Sequence, residues 1–163
     1  MIICRWRKCS YAVKTDFIKL VLAVIALVVG GAAEEILPKI AGVGWPVLMA
    51  SSVFFAMRRG VPEMVMFAIA AGAFEDALCA LPAATSSSFF LAAAALARWS
   101  EFPRGALVMT YPLYQWWLWA WTGGTAGGVF NRALVALPFG LATAIAVWSV
   151  LAWIERRAAV DEA

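Results

Sequence analysis

Two adjacent acidic residues, Glu75 and Asp76, lie in an otherwise apolar stretch, and their position is the first in this chain to suggest chemistry. A charged group inside an apolar helix is unfavourable unless it meets water or a partner, so such groups are candidates for function. Adjacent residues on a helix diverge by about 100°. The pair therefore cannot act as acid and base on one substrate, and we expect one residue to face the helix bundle and the other to face water.

Asp76 also belongs to a regular stripe of small residues. Ala68, Gly72 and Asp76 recur every four positions, and such a stripe lets a second helix approach closely. Pro82 then ends the helix, and the hydroxyl groups of residues 86–88 follow at a similar depth on the next segment. Two interpretations of Asp76 stay open, namely a structural polar clamp between helices and a binding or partner site.

Catalytic constellations are missing from the sequence. The chain has no histidine, which excludes Ser-His-Asp and Cys-His arrangements and histidine-based metal sites. Glu34 and Glu35, followed by Lys39, are similar to the paired glutamates of intramembrane proteases, but those sites also need histidines. The glycines at 123–128 have no lysine and no preceding strand, so they predict a turn rather than a phosphate loop. We predict a protein that is not an enzyme, with no catalytic, metal or cofactor site.

Composition indicates lipid as the solvent for most of the chain. Hydrophobic residues make up 64% and charged residues 14%, against about 45–50% and about 25% in soluble domains. Apolar stretches long enough for helices are separated by charges, proline or glycine. We predict an all-α membrane protein, a single domain built as a bundle of six transmembrane helices. The predicted stretches are 17–33, 40–57, 61–81, 83–97, 105–121 and 133–154. Whether the fourth of them crosses the membrane fully stays open.

The distribution of lysine and arginine predicts the orientation. With the N-terminus inside, eleven of the thirteen cations fall on the cytoplasmic side, as the positive-inside rule requires. Only Lys39 and Arg132 fall outside, and both termini are then cytoplasmic. Arg58 and Arg59 are expected to contact anionic lipid headgroups. The first stretch is interpreted as a span rather than a cleaved leader, and the cations form no stripe for nucleic acid.

The segment 45–98 has Trp45-Pro46 at the start of one stretch, the run AMRR at its end, and Gly72-x-x-x-Asp76 late in the next stretch. In these features the segment resembles the rod shape-determining protein MreD family of bacterial inner-membrane proteins. Family members commonly place glycine a few residues beyond the aspartate, where this chain has residues 81–83. The candidate structural or partner-binding residues come from the resemblance and from the stripe. They are Trp45 and Pro46 at the start of a stretch, Arg58 and Arg59 in the run AMRR at its end, Gly72 and Asp76 in Gly-x-x-x-Asp, and Pro82.

The resemblance implies a non-enzymatic subunit of the cell-elongation machinery for rod shape and peptidoglycan synthesis in the bacterial inner membrane. Its implied partners are the scaffold MreC and, through it, MreB and the wall synthases, and its implied fold is similar to the substrate-binding components of energy-coupling-factor transporters. Homo-oligomer formation is left open. The alternative function is a substrate-binding membrane subunit of a vitamin-type transporter, in which Asp76, residues 86–88 and the tryptophan-rich outer half of the fifth stretch line an outward-facing pocket.

Overall fold

The computed structural model describes residues 3–39, 43–100, 103–122 and 126–160, and every element in these ranges is an α-helix. Each helix overlaps one of the apolar stretches predicted from the sequence. Outside the described part of the chain lie the side chains of the cations before Leu20, the side chain of Arg104 and the turn glycines 123–124. The six helices are α1 (Ile3–Ile36), α2 (Val47–Arg58), α3 (Val61–Leu78), α4 (Thr85–Trp99), α5 (Pro103–Thr122) and α6 (Ala126–Val160).

One difference from the prediction lies at the start of α2. The stretch 40–57 was expected to be one helix, whereas α2 begins at Val47. Proline fixes its own φ, lacks an N–H and disfavours helical geometry at the preceding residue, so Trp45-Pro46 separates the chain before it from the helix. Pro46 occupies the N-cap position, and residues 44–46 are not helical.

Helix α2 lies at the centre of the bundle. It packs against all five other helices of the described part, and an unbroken run from Leu48 to Ala56 is buried. Two serines in this run satisfy their hydroxyl groups within the helix, since Ser51 Oγ donates to the Val47 carbonyl and Ser52 Oγ to the Leu48 carbonyl, each at 2.9 Å. The central helix therefore presents no unsatisfied serine to its apolar neighbours.

A tight loop joins α3 to α4. Ala80 and Ala84 adopt φ values of 51° and 67°, a left-handed conformation that favours glycine over residues with a side chain. These two positions flank the segment 81–83. Pro82 is exposed within this loop, and without an N–H it cannot donate a helical hydrogen bond to the carbonyl of Leu78, the last residue of α3.

Only one helical segment in the described ranges, Phe130–Arg157, is long and apolar enough to cross a membrane by length and composition, and Val47–Arg58 is a shorter apolar helix. At 1.5 Å per residue, the twelve residues of α2 extend about 18 Å and the fifteen of α4 about 22 Å. Both are shorter than a hydrocarbon core of about 30 Å. The structure therefore confirms an all-helical fold, while a bundle of six full spans remains a prediction.

Candidate functional site

Gly72 marks the closest approach of α3 to α4. A methyl group at this position would lie against the Cα and N atoms of Ser87 and 2.7 Å from the carbonyl carbon of Ser86. These are backbone atoms, which cannot move aside as a flexible side chain can. Residue 72 must therefore be glycine for the two helices to pack as they do.

Asp76, one turn beyond Gly72, caps the helix that Gly72 contacts. Its Oδ1 accepts a hydrogen bond from the backbone N–H of Ser86 at 2.7 Å, and the side chain is only 5% exposed. The first N–H groups of a helix lack partners within the helix and attract negative charge. Ala84, the N-cap residue of α4, has no side-chain cap of its own, so Asp76 supplies it from α3.

Glu75 faces protein as well, contrary to the expectation that one acid of the pair would face water. The Tyr114 hydroxyl of α5 donates to Glu75 Oε1 at 2.8 Å, and it lies 2.6 Å from Ser86 Oγ. Because the single tyrosine proton is directed to Glu75, the serine hydroxyl must be the donor in the second bond. The two adjacent acids diverge, yet both are connected to the start of α4.

The α1–α2 junction repeats this arrangement, which sequence reasoning missed. Glu34 Oε1 accepts from the N–H of Leu48 at 2.9 Å, and Leu48 is the second residue of α2, as Ser86 is of α4. A methyl group at Gly30 would lie 2.9 Å from Leu48 Cδ2. In each helix the acidic residue follows the glycine by four positions, and this shared spacing was visible in the sequence. The matching positions are Leu22, Ala26, Gly30 and Glu34 in α1, and Met64, Ala68, Gly72 and Asp76 in α3.

A small cavity of about 130 Å³, hereafter the polar chamber, lies beside the Glu34 cap. Glu34 and Glu75 line it and are half-buried, whereas Lys39 and Arg132 are exposed. Burial raises the pKa of the Glu34 carboxyl, which stands beyond the first predicted span, and the nearby Glu75 carboxylate raises it further. Asp76 and residues 86–88 do not line the polar chamber, so it differs from the pocket expected for a transporter subunit.

Aromatic side chains build the other walls of the polar chamber. Tyr111 and Tyr114 of α5 line it, and the Tyr111 hydroxyl donates to the Gly44 carbonyl at 2.6 Å. Trp45 also lines it, with its ring centroid 4.7 Å from that of Phe139, and its Nε1 is buried with no partner among the described residues. An indole N–H usually finds an acceptor when buried. The polar chamber is therefore lined by carboxylates and aromatic side chains.

The opposite end of α2 is held by arginines. Arg98 of α4 donates through one guanidinium nitrogen to the carbonyls of Ala56 and Arg59, both at 2.8 Å, which places a cation at the negative end of a helix. Arg59 forms an ion pair with Glu155 of α6 at 3.1 Å and is 10% exposed, while Arg58 is exposed. Of the arginines expected at lipid headgroups, only Arg58 is free of an ion pair among the described residues.

Three of the candidate residues predicted from the sequence lie between helices. Trp45 and Pro46 lie together before α2, Trp45 half-buried and Pro46 buried, on the side of the polar chamber. Pro82 lies in the α3–α4 loop. Among the described side chains, no three His, Cys, Asp or Glu are placed to hold a metal ion.

Comparison with known proteins identifies no relative. No protein-family model, curated protein or solved structure matches the chain.

Proposed function

We propose that this chain is a multi-pass bundle of the bacterial inner membrane whose outer face is in contact with lipid. Leu20, Val24 and Val28 of α1 are spaced four residues apart and are 62%, 50% and 60% exposed. Soluble monomers rarely expose apolar patches larger than a few hundred Å². Similar rows of exposed apolar side chains lie on α5 and α6, namely Met109, Leu113 and Trp116, and Leu134, Leu141 and Ile145.

The proposed topology places six helices in the membrane with both termini in the cytoplasm. Lys39 and Arg132, the two cations expected outside, line the same polar chamber. Arg58 and Arg156 line a different cavity at another part of the bundle, and Arg98 binds the carbonyl of Arg59. This segregation of cations supports the proposal. Because α2 is surrounded by the other helices, it can be shorter than a full span without exposing its ends to lipid.

Reporter fusions test this topology. A reporter active only in the cytoplasm should work at either terminus, and one active only outside should work after residue 39. Reports from opposite sides at the two termini would contradict the topology.

Within the membrane, we propose that the chain acts without catalysis as an assembly subunit of the elongation machinery. It would bind a scaffold of the MreC type and, through it, the filament protein and wall synthases. The supporting observation is that Gly72 and Asp76, two of the residues on which the MreD resemblance rests, fix one helix junction through a close approach and a cap. A junction of this kind gives the bundle a defined surface for a partner.

Depletion in a rod-shaped host tests the assembly function. We expect cells to become round and the MreC-type scaffold to co-purify with the tagged protein. Unchanged shape together with unaltered wall insertion on depletion would contradict the proposal.

A second candidate function, a solute-binding membrane subunit, is favoured by the polar chamber. Ligand sites are concave and combine apolar walls with a few convergent polar groups, and Met49 and Leu118 accompany Glu34 and Glu75 in the lining. Uptake of a labelled solute that depends on this protein would support the candidate. A host lacking the protein with unchanged uptake across small solutes would contradict it.

A further inference from the structure

We propose that the polar chamber binds a small organic amine in its ammonium form. This inference rests on the second candidate function and names its class of ligand. The polar chamber has room for a few water molecules, and hence for a solute of about four to six non-hydrogen atoms.

The half-buried charges of the polar chamber are both carboxylates, those of Glu34 and Glu75. Its exposed charges carry both signs and belong to Lys39, Arg132 and Glu35. A buried carboxylate is unfavourable without a positive partner. An ammonium group that enters therefore meets the less solvated charges, while the exposed cations stay in contact with water at the edge.

Internal donors hold both carboxylates in place. Glu34 Oε1 is fixed by the N–H of Leu48 at 2.9 Å, and Glu75 Oε1 by the hydroxyl of Tyr114 at 2.8 Å. Carboxylates held in this way need little reordering when a ligand arrives, and hydrogen bonds between charged groups are the strong ones.

Aromatic walls favour the same class of ligand. Trp45, Tyr111 and Tyr114 line the polar chamber, and an ammonium group near aromatic faces gains a cation–π attraction. A short amino alcohol such as ethanolamine carries an ammonium group for the carboxylates and is small enough for the volume of the polar chamber.

The test compares ethanolamine with ethylene glycol, which has the same number of non-hydrogen atoms and no charge. Calorimetric titration of the purified full chain, in detergent without phosphatidylethanolamine, should show binding of ethanolamine and at least about tenfold weaker binding of ethylene glycol. Equal binding of the two, or no binding of ethanolamine up to millimolar concentrations, would overturn the proposal.

Matched variants locate the binding. Glu75→Gln keeps an oxygen to accept from Tyr114 but removes the charge, so ethanolamine affinity should fall about tenfold or more. Glu63→Gln is the control, because Glu63 lies in the same helix, is exposed and does not line the polar chamber. An equal loss in both variants, or none in Glu75→Gln, would place the amine elsewhere and overturn the proposal.

Two further experiments distinguish a lipid headgroup from a free solute as the source of the ammonium group, and distinguish failure of the binding site from failure of the transporter function. In phosphatidylglycerol nanodiscs, adding phosphatidylethanolamine should weaken ethanolamine binding if a lipid headgroup supplies the amine, and should leave it unchanged if a free solute does. If ethanolamine binds but cells show no protein-dependent uptake, the transporter candidate fails and the binding site stands. If uptake of another solute depends on the protein while amines do not bind, the binding site fails and the candidate stands.

Discussion

Replacing Gly72 with alanine should force α3 and α4 apart. The added methyl group would meet the backbone of Ser87 and lie 2.7 Å from the Ser86 carbonyl carbon. Overpacking of this kind is unfavourable by about 1–3 kcal/mol, and alanine returns about 1 kcal/mol through its higher helix propensity. Separation also breaks the 2.7 Å bond from Ser86 to Asp76, which contributes about 1.5–3 kcal/mol as a bond to a charged group.

The net destabilisation expected for Gly72→Ala is about 2–4 kcal/mol, combining these opposing effects. For a chain of this length that corresponds to a fall in melting temperature of about 5–15 °C, measured on the purified protein in detergent. Gly140→Ala in α6 is the matched control, because its methyl group would lie 3.4 Å from Tyr111 Cβ and 3.7 Å from Val108 Cα, ordinary contact distances. If Gly72→Ala unfolds at the same temperature as Gly140→Ala, the proposed close approach is wrong.

A double variant separates the two parts of this effect. If the methyl group at Gly72 already breaks the cap, Gly72→Ala combined with Asp76→Ala should lose less stability than the sum of the single changes. Full additivity would mean that the hydrogen bond from Ser86 to Asp76 survives in Gly72→Ala. The loss of that bond would then contribute nothing to the destabilisation of Gly72→Ala.

Three other changes test the remaining contacts. Asp76→Asn should lose about 1 kcal/mol, because its amide oxygen still accepts from Ser86 but the charge is gone, whereas Asp76→Ala should lose about 1.5–3 kcal/mol in thermal unfolding by leaving that N–H unpaired; equal melting temperatures would contradict the cap. Arg98→Gln should lower the melting temperature more than Arg156→Gln, because Arg98 binds two backbone carbonyls at the end of α2 and Arg156 is exposed; the reverse order would refute this role. Ala84→Gly should raise stability by about 0.5–1 kcal/mol in the same assay by relieving the left-handed backbone, and a loss would show that this conformation is not strained.

The helices were predictable because apolar runs bounded by charge, proline or glycine specify them. The stripe ending at Gly72 and Asp76 indicated a close helix contact from spacing alone. The partner of Asp76 could not be predicted in the same way. The sequence indicated the hydroxyl groups of residues 86–88 as partners, whereas the actual donor is the backbone N–H of Ser86. A backbone donor carries no signature in the sequence, so only the folded chain identifies it.

Contacts between residues far apart in the sequence could not be predicted for a different reason. Arg59 was expected at lipid headgroups because it ends an apolar stretch, yet it pairs with Glu155 ninety-six residues later. Arg98 likewise reaches the carbonyl of Ala56 in another helix. Which helix end lies beside which depends on packing around α2, and hydropathy and charge at the segment ends do not determine it.

The two hairpins that share the glycine and acid spacing differ in how closely they pack, and this difference accounts for the position of the polar chamber. Gly72 meets backbone, and the short side chain of Asp76 reaches the next helix from a buried position. Gly30 meets only side chains, those of Leu48 and Val47, and the longer Glu34 reaches the N-terminus of α2. Over the described residues α1 also packs less extensively on α2 than α3 does on α4. The looser junction leaves space beside Glu34, so the carboxylate that caps α2 lines an open cavity, whereas the Asp76 carboxylate that caps α4 is buried.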